Sequence, residues 1–129
     1  MKILITADPE LPVPPKLYGG IERVVDMLVR GLVAHDHNVT LIAHRDSVVP
    51  CRLVPYTGAS SRSRRDLIAN TSLVTRTVLG GGFDLVHSFG RLAYLAPILP
   101  LSIPKLMTYQ REVTPRSVRL GHRLSRGTL

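Results

Sequence analysis

The first 43 residues of the chain predict a buried strand, an amphipathic helix and a second buried strand in succession. Residues 2–7 (KILITA) form a largely apolar run that stops at Asp8-Pro9, as in a strand buried on both faces. Apolar residues then recur from Gly20 at helical spacing, and residues 39–43 (VTLIA) are apolar and β-branched. Such a helix crosses over right-handed, so the two strands are predicted to be parallel neighbours.

The same alternation continues toward residue 110. Residues 52–56 (RLVPY) predict a short strand near a sheet edge, because a proline interrupts it. Ser63 opens a capping pattern for a second helix, which is predicted to stop at the glycines of residues 80–82. Two further strands are predicted at residues 83–89 (FDLVHSF) and 105–110 (KLMTYQ), on either side of a Pro-interrupted segment.

Thr114-Pro115 has the signature of a helix start, although no convincing apolar stripe follows it. Five strands interleaved with helices predict an α/β fold, namely a Rossmann-like, doubly wound and mainly parallel sheet. Residues 1–129 show no internal repeat and no linker, so they are interpreted as a single domain.

The chain is strongly basic, with 17 Lys and Arg against 9 Asp and Glu and a formal net charge of +8. Such a surface attracts nucleic acid, an acidic membrane face or phosphorylated small molecules, although a solvated basic face without a partner explains it equally well. The arginines cluster at positions 62, 64, 65, 111, 116, 119, 123 and 126.

A single cysteine, Cys51, and the absence of any zinc-like His or Cys spacing predict a reducing compartment and no metal. The expected location is therefore the cytoplasm. The apolar stretch at residues 92–101 is too short to span a bilayer, and residues 1–9 do not resemble a signal peptide.

Gly19-Gly20 lies at the end of the loop that joins the first predicted strand to the first predicted helix. Ligands of doubly wound sheets bind beyond the carboxyl ends of the strands, so backbone N–H groups at this corner could approach a phosphate closely. The alternative is that the two glycines only permit a sharp turn. The sequence contains neither the G-x-G-x-x-G fingerprint nor a Walker loop, which argues against NAD binding and ATP hydrolysis.

Residues 13–43 (VPPKLYGGIERVVDMLVRGLVAHDHNVTLIA), FDLVHSF at 83–89 and IPKLMTYQRE at 103–112 together resemble the N-terminal half of retaining GT-B glycosyltransferases of family four. The resemblance implies an acceptor-side domain that faces a second domain, which binds the nucleotide-sugar donor. That second domain is expected to be absent from this chain, because its Glu-x7-Glu pair is absent from residues 1–129. The chain alone is therefore expected to be inactive.

The resemblance also implies roles for particular residues. Gly19 and Gly20 would contact the donor diphosphate, while His87 and Gln110 would lie at the reacting sugar. Gln110 stands where relatives often have a histidine, and an amide cannot act as a general base. His87 has a second interpretation as a structural residue, hydrogen-bonded to a neighbouring loop.

Three further residues are expected on the acceptor side: Glu22, Thr57 and Arg111. Glu22 has the alternative role of a carboxylate favoured in a first helical turn, and Thr57 lies in a segment that equally suits a plain turn. The partners implied are a UDP- or GDP-linked sugar, a sugar or lipid-linked acceptor and, as a further hypothesis, an anionic membrane surface. No cofactor is expected beyond the nucleotide-sugar co-substrate.

A second class of function stays open at this point, namely a stand-alone module that binds a phosphorylated ligand or nucleic acid without catalysis. Nucleic acid is the less favoured ligand, because aromatic residues make up 5% of the chain and tryptophan is absent.

Overall fold

A computed structural model of the protein describes residues 1–110 and 112–129. Strands and helices alternate along the described chain as the sequence predicts, except that β3 follows β2 without a helix between them. The elements are β1 (Lys2–Thr6), α1 (Gly20–Ala34), β2 (Asn38–Ala43), β3 (Arg52–Pro55), α2 (Arg64–Gly81), β4 (Leu85–Ser88), a 3₁₀ helix (Leu92–Ile98), β5 (Lys105–Met107) and α3 (Pro115–Leu124).

The five strands form one parallel sheet in the order β3-β2-β1-β4-β5. Ile5 in the central strand pairs with Leu41 of β2 on one side and with His87 of β4 on the other. The chain winds outward from β1 in both directions, so the topological switch point lies between β1 and β4. The predicted doubly wound α/β fold is thereby confirmed, and the Pro-containing strand β3 lies at an edge as expected.

Helices cover both faces of the sheet, and alternate residues of β1 point to opposite faces. Ile3 and Ile5 pack in a core with Val25 and Val29 of α1. Leu4 packs on the other face in a core whose helical members come from α2 and the 3₁₀ helix: Val74, Val78, Tyr94, Leu95 and Ile98. Among the described helices, none combines the length and the apolar character needed to cross a bilayer.

Capping residues define the ends of α2 and the start of α3. At α2, Ser63 Oγ accepts a hydrogen bond of 3.3 Å from the Asp66 amide, and Gly82 closes the helix with a φ of 60°. At α3, Thr114 Oγ1 accepts a bond of 3.2 Å from the Ser117 amide. The one buried residue of α3 is Gly121, which lies beside Leu92 and Leu129.

Strands β4 and β5 are shorter than the sequence predicts. β4 covers residues 85–88 of the predicted 83–89, and β5 covers 105–107 of the predicted 105–110. Thr108–Gln110 therefore leave the sheet at its carboxyl edge, where residues 8–18 and 89–91 also lie after β1 and β4. The end of the predicted strand thus contributes to a crevice instead of to the sheet.

Candidate active site

The loop between β1 and α1 is tied to the body of the protein at two points. The amide of buried Val13 donates to Ser47 Oγ at 2.9 Å, and the Val13 carbonyl accepts from the Val48 amide at 2.8 Å. The carboxylate of Glu10 accepts from the amide of Ser61 at 3.1 Å and from its hydroxyl at 2.5 Å. These contacts fix the approach of the chain to Gly19 and Gly20.

Gly19 and Gly20 differ in their surroundings. Gly19 is buried and has a φ of 144°, and a Cβ there would lie 2.6 Å from Glu22 Oε2 and 2.8 Å from Pro15 Cβ. Its lack of a side chain is therefore explained by backbone conformation and packing alone. Gly20 is exposed, and a Cβ there would meet no atom within 4 Å. Open space therefore borders the first helical residue.

A cleft of about 470 Å³ lies beside this corner. It brings together Gly20, Glu22 and Gln110, three of the residues selected from the sequence, and Gly19 contributes to the same wall. The N–H groups of residues 20–22 form the unsatisfied first turn of α1, and no described residue accepts a hydrogen bond from them. The cleft therefore offers main-chain donors and a partial positive charge to an anion.

The Glu22 side chain is unusual among the polar groups of the cleft. The residue is only 6% exposed, and among the described residues none donates a hydrogen bond to its carboxylate. Its oxygens are not among the buried polar atoms that lack a partner, so they are open to the cleft, where a ligand hydroxyl can donate to them. This arrangement suits a hydroxyl-rich ligand.

A second cleft of about 350 Å³ adjoins the first at the carboxyl ends of β4 and β5. Both clefts are lined by Phe89 and Gln110, so these two side chains lie between them. The second cleft also contains charged side chains, those of Asp8, Arg91 and Glu112. Gln110 thus lies centrally at this edge of the sheet, where its amide can donate and accept hydrogen bonds on either side.

His87 lies near the crevice without lining either cleft. Its Nε2 is 2.8 Å from Thr108 Oγ1, and its ring centroid is 4.4 Å from that of Phe89. Burial lowers the pKa of His87 from its ordinary value of 6.5. The neutral imidazole can therefore hold the Thr108 hydroxyl, which does line the first cleft.

The lowered pKa of His87 predicts a pH dependence of stability. The unfolded chain binds a proton at His87 more readily than the folded chain, so the free energy of unfolding should fall as pH decreases below about 6.5. We expect His87→Asn to lose this part of the dependence in urea unfolding measured from about pH 7.5 to about pH 5.5. Thr108→Val, which keeps the imidazole buried, should retain it. An unchanged pH dependence in His87→Asn would contradict this account.

Of the residues expected on the acceptor side, one lies away from the two clefts. Thr57 is exposed after β3, two strands away from β1, and lies outside the linings of both clefts. Arg111 lies outside the described residues. In contrast, Thr108, Phe89 and Tyr18 line the first cleft and were not selected from the sequence. The position of Thr108 and Phe89 directly after β5 and β4 is the signal that could have indicated them.

In the described part of the chain, no group of three His, Cys, Asp or Glu side chains is placed to hold a metal ion. The groups at the two clefts that can contact a ligand are main-chain amides, the Gln110 amide, hydroxyls, the carboxylates of Glu22, Asp8 and Glu112, and the Arg91 guanidinium. Such groups can bind a phosphate and orient a hydroxyl.

Comparison with known protein families agrees with this fold. Residues 18–127 match the family model described as Glycosyltransferase Family 4. The chain belongs to this glycosyltransferase family. The matched segment begins immediately before Gly19-Gly20 and includes β4 and β5, two of the three strands that border the clefts.

A solved glycosyltransferase has a similar fold. It is AviGT4, involved in avilamycin A biosynthesis, and it superimposes with a TM-score of 0.54 at 22% sequence identity. The alignment covers 97% of this family 4 chain and 39% of AviGT4, so the chain spans about two fifths of that protein's length. Among curated proteins, none matches the sequence.

Proposed function

We propose that the chain is the acceptor-side domain of a retaining glycosyltransferase that uses a UDP- or GDP-linked sugar. The observation that supports this most directly is the open, exposed N-terminus of α1 at Gly20, which borders a cleft shared with Glu22 and Gln110. The cleft lies beyond the carboxyl ends of the strands at a topological switch point, where doubly wound sheets bind ligands. Family membership supports the transferase class.

In the proposed reaction, the bond between the anomeric carbon of the sugar and the donor phosphate breaks, and its electrons remain on the diphosphate. The N–H groups of the first turn of α1 and the helix dipole stabilise this developing charge. The acceptor oxygen bonds to the anomeric carbon on the same face of the sugar, and its proton passes to the departing phosphate oxygen. No protein side chain is required as a general base in this scheme, which is compatible with glutamine at position 110.

The remaining polar groups would position the acceptor. Glu22 accepts a hydrogen bond from an acceptor hydroxyl, and Gln110 bonds to the sugar undergoing transfer. His87 acts through Thr108, whose hydroxyl it holds at the cleft wall. The acceptor is proposed to be a sugar or a lipid-linked sugar. Thr57, which lines neither cleft, and Arg111 stay proposed acceptor contacts.

The donor-binding half of the reaction is assigned to a second domain outside residues 1–129. The chain spans 39% of AviGT4, which is consistent with a contribution of about one domain. The competing function, a stand-alone phosphate-binding module, uses the same Gly20 amides but does not require a hydroxyl donor for Glu22. The behaviour of Glu22 therefore distinguishes the two.

The proposal predicts an effect of Glu22→Gln on anion binding. The carboxylate lies beside the helix N-terminus, so it repels a diphosphate bound at Gly20. Because glutamine keeps the shape and removes the charge, we expect inorganic pyrophosphate and UDP to bind about three- to tenfold tighter by calorimetry. Glu112→Gln, at the second cleft, should change affinity less than twofold.

The same variant tests the acceptor role in the enzyme that contains this domain. There the Glu22→Gln substitution should raise KM for the acceptor while leaving KM for the donor unchanged or lower. A module without transferase chemistry predicts tighter anion binding and no acceptor effect. If Glu22→Gln leaves pyrophosphate affinity unaltered, the anion does not bind at the N-terminus of α1.

A further inference from the structure

The two helical layers of the domain carry very different charge. On one face of the sheet, α1 has two arginines that are balanced by Glu22 and Asp26. On the other face, α2 has three arginines against the single Asp66, and α3 has three arginines and no acidic residue. The second layer, formed by α2, the 3₁₀ helix and α3, is called the basic layer below. The excess positive charge of the chain is therefore concentrated on one side.

The arginines of α3 form a stripe along its outer face. Arg116, Arg119 and Arg123 are spaced by three and four residues, which places them on the same side of a helix, and Arg126 continues the series after the helix ends. All four are exposed. Buried Gly121 lies on the opposite side, against Leu92 of the 3₁₀ helix. The stripe consequently points away from the protein.

No ion pair to an arginine of α2 or α3 is present within the described residues. In contrast, Arg30 of α1 is bound by Asp26 at 3.0 Å. The guanidinium groups of the basic layer are therefore available to an external anion. Arg64 and Arg65 at the start of α2 and Arg76 in its fourth turn are also exposed.

Large apolar side chains are exposed among these arginines. Leu120 and Leu124 of α3 are 54% and 48% exposed, and Ile68 of α2 is 71% exposed. Ile68 also lines an apolar groove of about 450 Å³ between α2 and the 3₁₀ helix, with Pro97 on its far wall and Arg76 at its margin. Exposed apolar side chains contribute nothing to phosphate binding, whereas they stabilise a surface that enters the interfacial region of a bilayer.

We propose that the basic layer docks on an anionic phospholipid bilayer. The arginine stripe pairs with lipid phosphates, while Leu120, Leu124 and Ile68 enter the boundary between headgroups and acyl chains. This inference concerns a surface on the opposite side of the sheet from α1, and it does not depend on the transferase chemistry. Nucleic acid is less suitable, because the one aromatic residue in these three helices, Tyr94, is fully buried and unavailable for base stacking.

The test is flotation of the 129-residue chain with phosphatidylcholine vesicles, with and without phosphatidylglycerol. We expect binding to the anionic vesicles only, weakened by salt. The double substitution Arg119→Gln with Arg123→Gln should reduce the partition coefficient about 30-fold, on the basis of about fivefold for each basic residue at an anionic surface. The control, Lys16→Gln with Arg45→Gln, removes the same charge from exposed loop residues outside the basic layer and should reduce it less than threefold.

The apolar contribution is tested by Leu120→Asn with Leu124→Asn, which should weaken vesicle binding at least fivefold without changing the salt dependence. Circular dichroism verifies that each variant is folded. Equal binding to neutral and anionic vesicles would overturn the proposal, and so would equal losses in the arginine double variant and its control. Displacement of the chain from anionic vesicles by duplex DNA at equal phosphate concentration would assign the surface to nucleic acid instead.

Discussion

Replacing Gly20 with alanine is expected to weaken the binding of inorganic pyrophosphate at least tenfold without destabilising the fold. A Cβ added at residue 20 would lie in open space and meet no protein atom within 4 Å. It occupies the position from which a phosphate reaches the first-turn amides, and each charge-assisted hydrogen bond lost there contributes about 1.5–3 kcal/mol. Isothermal titration calorimetry of the wild type and the variant measures the effect.

Stability provides the internal control for this prediction. The free energy of unfolding of Gly20→Ala should remain within about 0.5 kcal/mol of wild type, as is usual for exposed substitutions. Gly31→Ala is the matched substitution, because Gly31 is also an exposed glycine of α1 with open space around it. It should gain up to about 1 kcal/mol of helix stability and leave pyrophosphate binding unchanged. Wild-type affinity in Gly20→Ala would mean that the anion does not approach this corner.

Replacing Gly19 with alanine is expected to have the opposite profile, a large loss of stability. The backbone at Gly19 has a φ of 144°, which side-chain-bearing residues rarely adopt, and the new Cβ would lie 2.8 Å from buried Pro15. The strain and the overpacking together should lower the free energy of unfolding by about 2–4 kcal/mol. Urea denaturation monitored by circular dichroism measures this change.

Glu22 allows the two causes to be separated. A Cβ on Gly19 would also lie 2.6 Å from Glu22 Oε2, and that side chain can move away more easily than Pro15. The double variant Gly19→Ala with Glu22→Ala should therefore recover only a minor part of the lost stability. Full recovery would show that the carboxylate contact, and not the backbone conformation, requires glycine here. Unchanged stability in Gly19→Ala alone would contradict the described geometry.

The sheet and α1 could be predicted from the sequence because their signals are local and repetitive. Residues 2–7 and 39–43 are apolar enough for strands buried on both faces, and the spacing of apolar residues in α1 is helical throughout. The parallel order then follows from the handedness of crossovers. In α3 the one buried residue is Gly121, so no buried large apolar side chain marks this helix in the sequence.

The crevice could be predicted only in part, since it depends on contacts between distant segments. The sequence suggests one role for both glycines, whereas the loop that Val13 and Glu10 anchor buries Gly19 and leaves Gly20 open. Similarly, the bond between His87 and Thr108 joins residues 21 positions apart. Gln110 was selected through the family resemblance, as the residue that stands where relatives often have a histidine.

The most direct test of the central claim is an NMR titration of the ¹⁵N-labelled chain with inorganic pyrophosphate. The claim is that main-chain donors at the N-terminus of α1 bind the diphosphate of a sugar donor. It predicts saturable shifts that are largest for the amides of Gly20, Ile21 and Glu22, together with the side-chain amide of Gln110. Shifts confined to the arginine-bearing helices α2 and α3, with residues 20–22 unaffected, would contradict it.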